Sequence, residues 1–346
     1  MQGKRIVVVG AGAIGASVAA DLLRAGLDVT LADQWPAHVE AIAAHGLRVT
    51  VAGEPATVPA RAMHLCELSA AAPFDIAILA VKAYDTRWSA ELIRPCLAPD
   101  GYVVGLQNAL CDEDIAAIVG PSRVVSVVIE LSAEIFSAGE VVRNSPPAKT
   151  WFGVGIDGAR ADATASQRVA EVARLLAWSG RVSALDDVTA GKWTKLIANA
   201  MLLGPLGVTG LRLGEALGIA GVHAFLASVG AEAIAVAAAS GYRVQPVFGL
   251  TADELRGTPA EVSHKLVETI VGHIGPAALM APAQDYRKRR RTEVDAINGH
   301  IVRRAVALGL AAPANAAVVE IDRRIRLDGL ACTAGNLALA TRLAAA

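Results

Sequence analysis

A chain of 346 residues is long enough for two domains, each burying its own core. With 54% hydrophobic and 19% charged residues it is not a disordered chain. A net charge of −1 gives no electrostatic drive towards nucleic acid or an anionic membrane.

Aromatics make up only 4%, and the mean hydropathy of +0.45 rests on Ala, Val and Leu, a texture of many close-packed helices. Cys66, Cys96, Cys111 and Cys332 are scattered without a CxxC pair, so thiols in a reducing compartment are expected rather than disulfides or zinc. The seven histidines form no HxxxH or HxH pattern, and no metal is expected. Residues 1–5 lead straight into a strand and leave no room for a signal peptide. The apolar stretch 216–240 is interrupted by His223 and Glu232 and suits a core helix better than a membrane span. These features predict a soluble cytoplasmic protein with no membrane partner.

In chain order, the β-branched run 5–9 predicts a strand buried on both faces. A glycine turn follows, then a helix over 14–25, a strand over 28–33 and a helix over 37–45. Further strands are predicted over 75–81, 101–106 and 123–128, with helices between most of them. This alternation predicts a doubly wound, mostly parallel sheet with right-handed crossovers. Residues 131–155 read as short antiparallel strands finishing that sheet, followed by a helix over 166–178 and a last strand at 181–183. After Leu185 the texture is helical to the end, with breaks near Gly204-Pro205, Gly241 and Pro276. The expected domains are residues 1–185 and 186–346, with Asp186 or Asp187 capping the first helix of the second domain. The Ala-rich tail after Gly329 reads as a loosely held helix.

Gly10-Ala11-Gly12-Ala13-Ile14-Gly15 matches GxGxxG between a strand and a helix. Gly10 permits the tight turn, Gly12 lets the backbone approach a pyrophosphate, and Gly15 lets helix and strand pack closely. The helix N-terminus offers unpaired N–H groups to the phosphates. Asp33 ends the second strand, where a carboxylate accepts from ribose hydroxyls and repels a 2′-phosphate. Gln34 stands where a phosphate-binding Arg would be. The expected cofactor is therefore NAD(P)H, with NADH modestly favoured. The competing reading of Asp33 is a cap for the next helix.

Lys195 and Asn199 are four apart and share one face of a helix that is otherwise apolar through Met201 and Leu203. Glu293 lies in the helical segment 291–299, and Gln107-Asn108 follow a strand's carboxyl end, where ligands sit in open α/β sheets. The competing readings are a snorkelling lysine and a surface ion-pair network around the basic run 287–291.

Taken together, the GAGAIG loop, Val81-Lys82, Gln107-Asn108, Lys192-Trp193-Thr194-Lys195 with Asn199, Gln284-Asp285 and the Thr292–Gly299 segment TEVDAING resemble the ketopantoate reductase family, from the glycine loop to about Arg326. The resemblance implies a Rossmann domain followed by a helical domain of 6-phosphogluconate-dehydrogenase-like type, with the active site in the cleft between. It implies NAD(P)H-dependent reduction of a 2-keto acid to a 2-hydroxy acid. Lys195 matches the general acid, and Glu293 an acid that binds substrate and orients the lysine. Asn199 matches a substrate ligand, Asn108 a residue at the cofactor–substrate junction, and Lys82 a lysine near the cofactor. Burial and a neighbouring carboxylate move a lysine's proton affinity in opposite directions, which tunes it for proton donation.

The chain departs from the family pattern at three positions. Leu203 stands where a second pocket asparagine is usual, Ala281 where a serine binds the substrate carboxylate, and Ala109 where a glycine follows the asparagine. The first two replace hydrogen-bonding groups with apolar ones, so a more apolar 2-keto acid than ketopantoate is expected. The rivals are another hydroxyacid or imine-type dehydrogenase on the same architecture and a non-catalytic dinucleotide sensor. The expected partner is a small-molecule carbonyl substrate rather than nucleic acid, and an Ala-rich helical domain can bury a homodimer interface.

Overall fold

The computed structural model describes residues 3–157, 163–246 and 250–346. The chain separates into two compact units, Met1–Lys192 and Trp193–Ala346.

The first unit begins β1 (Arg5–Val9), α1 (Ala13–Arg24), β2 (Asp28–Asp33) and α2 (Pro36–His45), and continues with β3 (Leu47–Val51), β4 (Glu54–Val58), β5 (Arg61–His64) and α3 (Leu68–Ala71). Then come β6 (Phe74–Leu79), α4 (Thr86–Ile93), β7 (Leu97–Gly105), α5 (Asp112–Val119) and β8 (Val124–Glu130). It ends with β9 (Ala133–Ser137), β10 (Glu140–Arg143), β11 (Trp151–Gly155), α6 (Ala163–Leu176) and β12 (Arg181–Ala184). The eight-stranded main sheet has the order β12-β11-β8-β7-β6-β1-β2-β5. It is parallel from β5 to β8, β11 joins antiparallel to β8, and β12 runs parallel to β11.

The central strand shows why the sheet is covered on both faces. Successive side chains of a strand point to opposite faces. Ile6 and Val8 enter the core that contains α1 and α6 side chains, while Val7 and Val9 enter the core formed with α3, α4 and α5. A run of β-branched residues is what two apolar layers require.

A second sheet, of order β4-β3-β10-β9, departs from the expectation that residues 131–155 finish the main sheet. Only β11 does so, whereas β9 pairs with β10, and β10 with the unforeseen β3, which pairs in turn with β4. The reason lies in β4, which exposes Glu54–Thr57 and buries only Val58, so no apolar alternation marks it. Arg143 of β10 fastens this sheet to the glycine-loop helix. Its side chain, 1% exposed, pairs with Asp21 of α1 and donates to Thr150 Oγ1 (2.9 Å) and the Ser179 carbonyl (2.6 Å).

The helix α7 (Val188–Gly207) leads into the second unit, followed by α8 (Leu213–Leu217), α9 (Val222–Ala239) and α10 (Pro259–His273). The rest are α11 (Ala281–Arg287), α12 (Val294–Ala307), α13 (Pro313–Leu327) and α14 (Gly335–Ala345). Asp187 caps α7, its Oδ1 accepting from the Ala190 N–H at 2.8 Å. The break expected at Gly204-Pro205 falls later, because Pro205 sits in the final turn of α7 and removes a single backbone bond. Helix α9 is long and apolar enough to cross a membrane by length and composition, and 56% of that stretch is buried within the protein. Its Glu232 caps α13 from outside, accepting from the backbone N–H groups of Ala314 (2.8 Å) and Asn315 (3.0 Å). The tail is not loosely held. Asn336 donates to the carbonyls of Val208 and Ala331, each at 2.9 Å, and Leu337 and Ala340 are buried.

Candidate active site

The strand order of the main sheet reverses at β1, flanked by β2 and β6, which is where doubly wound sheets bind ligands. At the carboxyl ends of β1, β2, β6 and β7 follow the glycine loop, Asp33-Gln34, Lys82 and Asn108 respectively. Gly10 takes φ +93°, and a Cβ there would lie 2.8 Å from the Val81 nitrogen. A Cβ on Gly15 would press on the Gly10 carbonyl and lie 2.9 Å from Ala80 Cβ. Gly12 differs, since an added Cβ meets nothing within 4 Å. No protein packing demands glycine there, yet the backbone of Gly12, the N-cap of α1, lies open where a pyrophosphate would approach. The remaining members of the loop, Ala11, Ala13 and Ile14, are buried or half-buried. The loop therefore fits a dinucleotide.

The side chain of Asp33 accepts from the Trp35 N–H at 2.8 Å through Oδ1, so the carboxylate shapes the turn into α2, while Gln34 is exposed. Lys82 is half-buried and precedes a short 3₁₀ turn over Ala83–Asp85. Gln107 Nε2 donates to Thr86 Oγ1 at 2.7 Å, tying the loop after β7 to the start of α4. Asn108 is half-buried, and Ala109 after it takes φ +64°, the left-handed conformation that favours glycine. The departure at Ala109 is thus a strained alanine in a glycine's backbone.

In the second unit α7 presents Lys195, Asn199 and Leu203 at intervals of four, on one helical face. Asn199 is buried at 7% exposure, and Lys195 and Leu203 are half-buried. Glu293, also 7% exposed, is the N-cap residue of α12, and Ala281 opens α11. The surface-network reading suits its neighbour instead, since Asp295 pairs with Arg303 at 3.0 Å and lies 4.0 Å from Arg291.

Residues that the sequence did not single out hold these helices. Asn298, fully buried, donates to the Ala200 carbonyl of α7 and to Asn315 Oδ1 of α13, both at 3.0 Å. The helix bearing Lys195 and the helix that begins after Glu293 are thereby bonded one residue beyond Asn199. Asp322 accepts from Thr292 Oγ1 (2.5 Å), Tyr286 OH (2.7 Å) and Arg326 Nε (2.8 Å), which fixes the residue before Glu293. Burial, and then that carboxylate, push the Tyr286 phenol well above its ordinary range, so it serves as a donor. Trp193, beside Thr194 and Lys195, stacks on Tyr242 and meets His300 edge-on. Of these, Trp193, Thr292 and Asn298 carried a sequence signal, their places inside the Lys192–Lys195 and TEVDAING segments.

Comparison with known proteins identifies the family. Residues 6–156 match the family described as Ketopantoate reductase PanE/ApbA, and residues 187–325 match its C-terminal counterpart. A 2-dehydropantoate 2-reductase of Mesorhizobium japonicum is 26% identical over 94% of this chain and 98% of its own length. The crystal structure of a PanE/ApbA family ketopantoate reductase from Ralstonia eutropha JMP134 superposes with a TM-score of 0.76 at 28% identity, covering 93% of this chain and 98% of that one. D-mandelate dehydrogenase with NADH and anilino(oxo)acetate shares the fold, with a TM-score of 0.82 at 22% identity over 94% of this chain and 98% of that one. The glycine loop lies in the first matched segment, and Lys195 and Glu293 lie in the second. The chain belongs to the ketopantoate reductase family and is a pyridine-nucleotide-dependent oxidoreductase that reduces a 2-keto acid.

Proposed function

We propose that the preferred substrate is a 2-keto acid more apolar than ketopantoate, reduced with NADH in preference to NADPH. The observation that carries the reading is the face of α7 on which Lys195 and Asn199 are followed by Leu203, on a helix bonded through Asn298 to the one that begins after buried Glu293. Leu203 and Ala281 offer no hydrogen bond to a substrate hydroxyl or carboxylate, whereas they accept apolar surface at about 25 cal/mol per Å² buried.

The glycine loop, Asp33, Lys82 and Asn108 would hold the dinucleotide. When bound, reduced nicotinamide supplies the hydride. Lys195 delivers a proton from Nζ to the carbonyl oxygen as the carbonyl carbon accepts the hydride, so C=O becomes CH–OH and the amine regains its proton from solvent. Glu293 orients Lys195 and accepts a hydrogen bond from substrate, and Asn199 donates to the developing alkoxide. Asp33 and the absence of a cation at Gln34 support NADH.

The test follows nicotinamide absorbance across a panel of 2-keto acids that includes ketopantoate, with NADH and NADPH run separately and a Lys195→Ala control. An apolar acid with NADH should give the highest kcat/KM, and Lys195→Ala should lower kcat by about 10²–10⁴-fold. A preference for ketopantoate with NADPH would overturn the specificity reading, and an active Lys195→Ala enzyme would overturn the acid assignment.

A further inference from the structure

A buried imidazole holds the glycine loop from the α2 side. His38, in the first turn of α2, has 0% exposure. Its Nε2 lies 2.8 Å from the Ala11 carbonyl oxygen, and its Nδ1 lies 2.8 Å from the backbone nitrogen of Gly139. Gly139 sits in the turn between β9 and β10, at φ +76°. A backbone N–H can only donate, so Nδ1 accepts and carries no proton. The ring proton therefore sits on Nε2 and is donated to Ala11. Both bonds need this neutral tautomer. Trp35 stacks on the ring, with centroids 5.3 Å apart at 17°.

The bond to Ala11 has a consequence one residue further on. The Ala11 carbonyl and the Gly12 N–H belong to one planar trans peptide and point in opposite directions. With the carbonyl turned onto His38, the Gly12 N–H faces away from α2. A Cβ on Gly12 would find open space, whereas Gly10 and Gly15 are packed. The bond from His38 holds the Ala11 carbonyl, and with it this peptide plane, in one direction.

We propose that His38 is a positioning residue for the dinucleotide. It orients the Ala11–Gly12 peptide so that the Gly12 N–H faces the pyrophosphate, and it couples that peptide to the β9–β10 turn. The proposal rests on the reading that the Gly10–Gly15 loop holds a nicotinamide dinucleotide.

Two substitutions separate this role from simple packing. His38→Gln can place its amide nitrogen near the Nε2 position and keep the donation to Ala11. His38→Asn can place its amide oxygen near the Nδ1 position, keeping the Gly139 bond and losing the Ala11 bond. Calorimetric titration with NADH, and separately with NADPH, should find His38→Gln within about threefold of the wild type. His38→Asn should bind about tenfold more weakly, the loss of one orienting hydrogen bond. Thermal unfolding of the ligand-free variants should place the two close together, since each loses one bond. Equal weakening of binding in both, or binding like the wild type in both, overturns the proposal. A wild type that binds neither nucleotide overturns the underlying reading of the loop instead. Should either variant fail to fold, the ¹⁵N resonances of His38 in the wild type decide. They should report the Nε2–H tautomer with and without nucleotide, and an Nδ1–H tautomer or an imidazolium in the bound state overturns the proposal.

Discussion

The two units hold their candidate residues by different means. In the first, the backbone does most of the positioning. Gly10 turns at φ +93° against Val81, Gly15 packs on the Gly10 carbonyl, and parallel registers align the loops after β1, β6 and β7. In the second, side chains do it. Asn298 joins three helices, Glu232 caps a helix 82 residues away, and Asp322 gathers three donors. A backbone constraint is local and tolerates no added atom. A side-chain network is distributed, and its cost falls on whichever buried partner loses its mate.

Three substitutions should break this comparison if it is wrong. Asp322→Ala strands the Tyr286 and Thr292 hydroxyls and the Arg326 guanidinium around a site that is 0% exposed. It should cost about 3–5 kcal/mol in urea unfolding. A loss below about 1 kcal/mol would mean the network carries little of the second unit's stability. In the first unit, Gly15→Ala puts a Cβ against the Gly10 carbonyl and should cost about 1–3 kcal/mol. Gly12→Ala meets nothing within 4 Å and should leave the ligand-free protein within about 0.5 kcal/mol of wild type while weakening dinucleotide binding at least about tenfold. Equal destabilisation by the two alanines would remove the distinction between a packing glycine and a ligand glycine.

The same difference explains what was legible in the sequence. The β1 and β2 boundaries and the glycine loop were readable because apolar runs and glycine spacing are short-range signals. The second sheet was not, because β4 is exposed except at Val58 and its pairing is a backbone property. Lys195 and Asn199 were legible as a pair out of place on an apolar helix. His38 carries no local signal, since its two partners lie 27 and 101 residues away in sequence. Asp322 sits in an ordinary charged helix, and only its burial distinguishes it. Glu293 and Asp295 show the limit most plainly. Two acids, two residues apart, look alike in sequence, and only the fold buries one and leaves the other in surface ion pairs.

Smaller effects sharpen the comparison. Restoring the polar pair with Leu203→Asn and Ala281→Ser should raise kcat/KM for ketopantoate relative to an apolar 2-keto acid by about tenfold or more, measured as a ratio on the same enzyme. An unchanged ratio would remove those two positions from substrate recognition. Ala109→Gly relieves an alanine held at φ +64° and should stabilise the first unit by about 1 kcal/mol, read as a shift in the thermal midpoint. A destabilised variant would show that the Ala109 methyl, buried at 8% exposure, packs better than its backbone is strained.

The smallest effect concerns His300 on α12, whose ring meets Trp193 edge-on with centroids 5.5 Å apart. Burial first, then the positive charges of Arg303 and Arg304, hold its pKa below the usual 6.5. The unfolded chain therefore takes up this proton at a higher pH than the folded protein does. The contribution of His300 to stability is complete above about pH 6.5 and declines as the pH falls below it towards the folded value. The urea midpoint of the wild type should fall between pH 7.5 and pH 5.5, and His300→Gln should reduce that fall. A pH slope unchanged in His300→Gln would place the titration on another group. A steeper slope would mean that the wild-type ring is easier to protonate folded than unfolded, contrary to its burial beside two arginines.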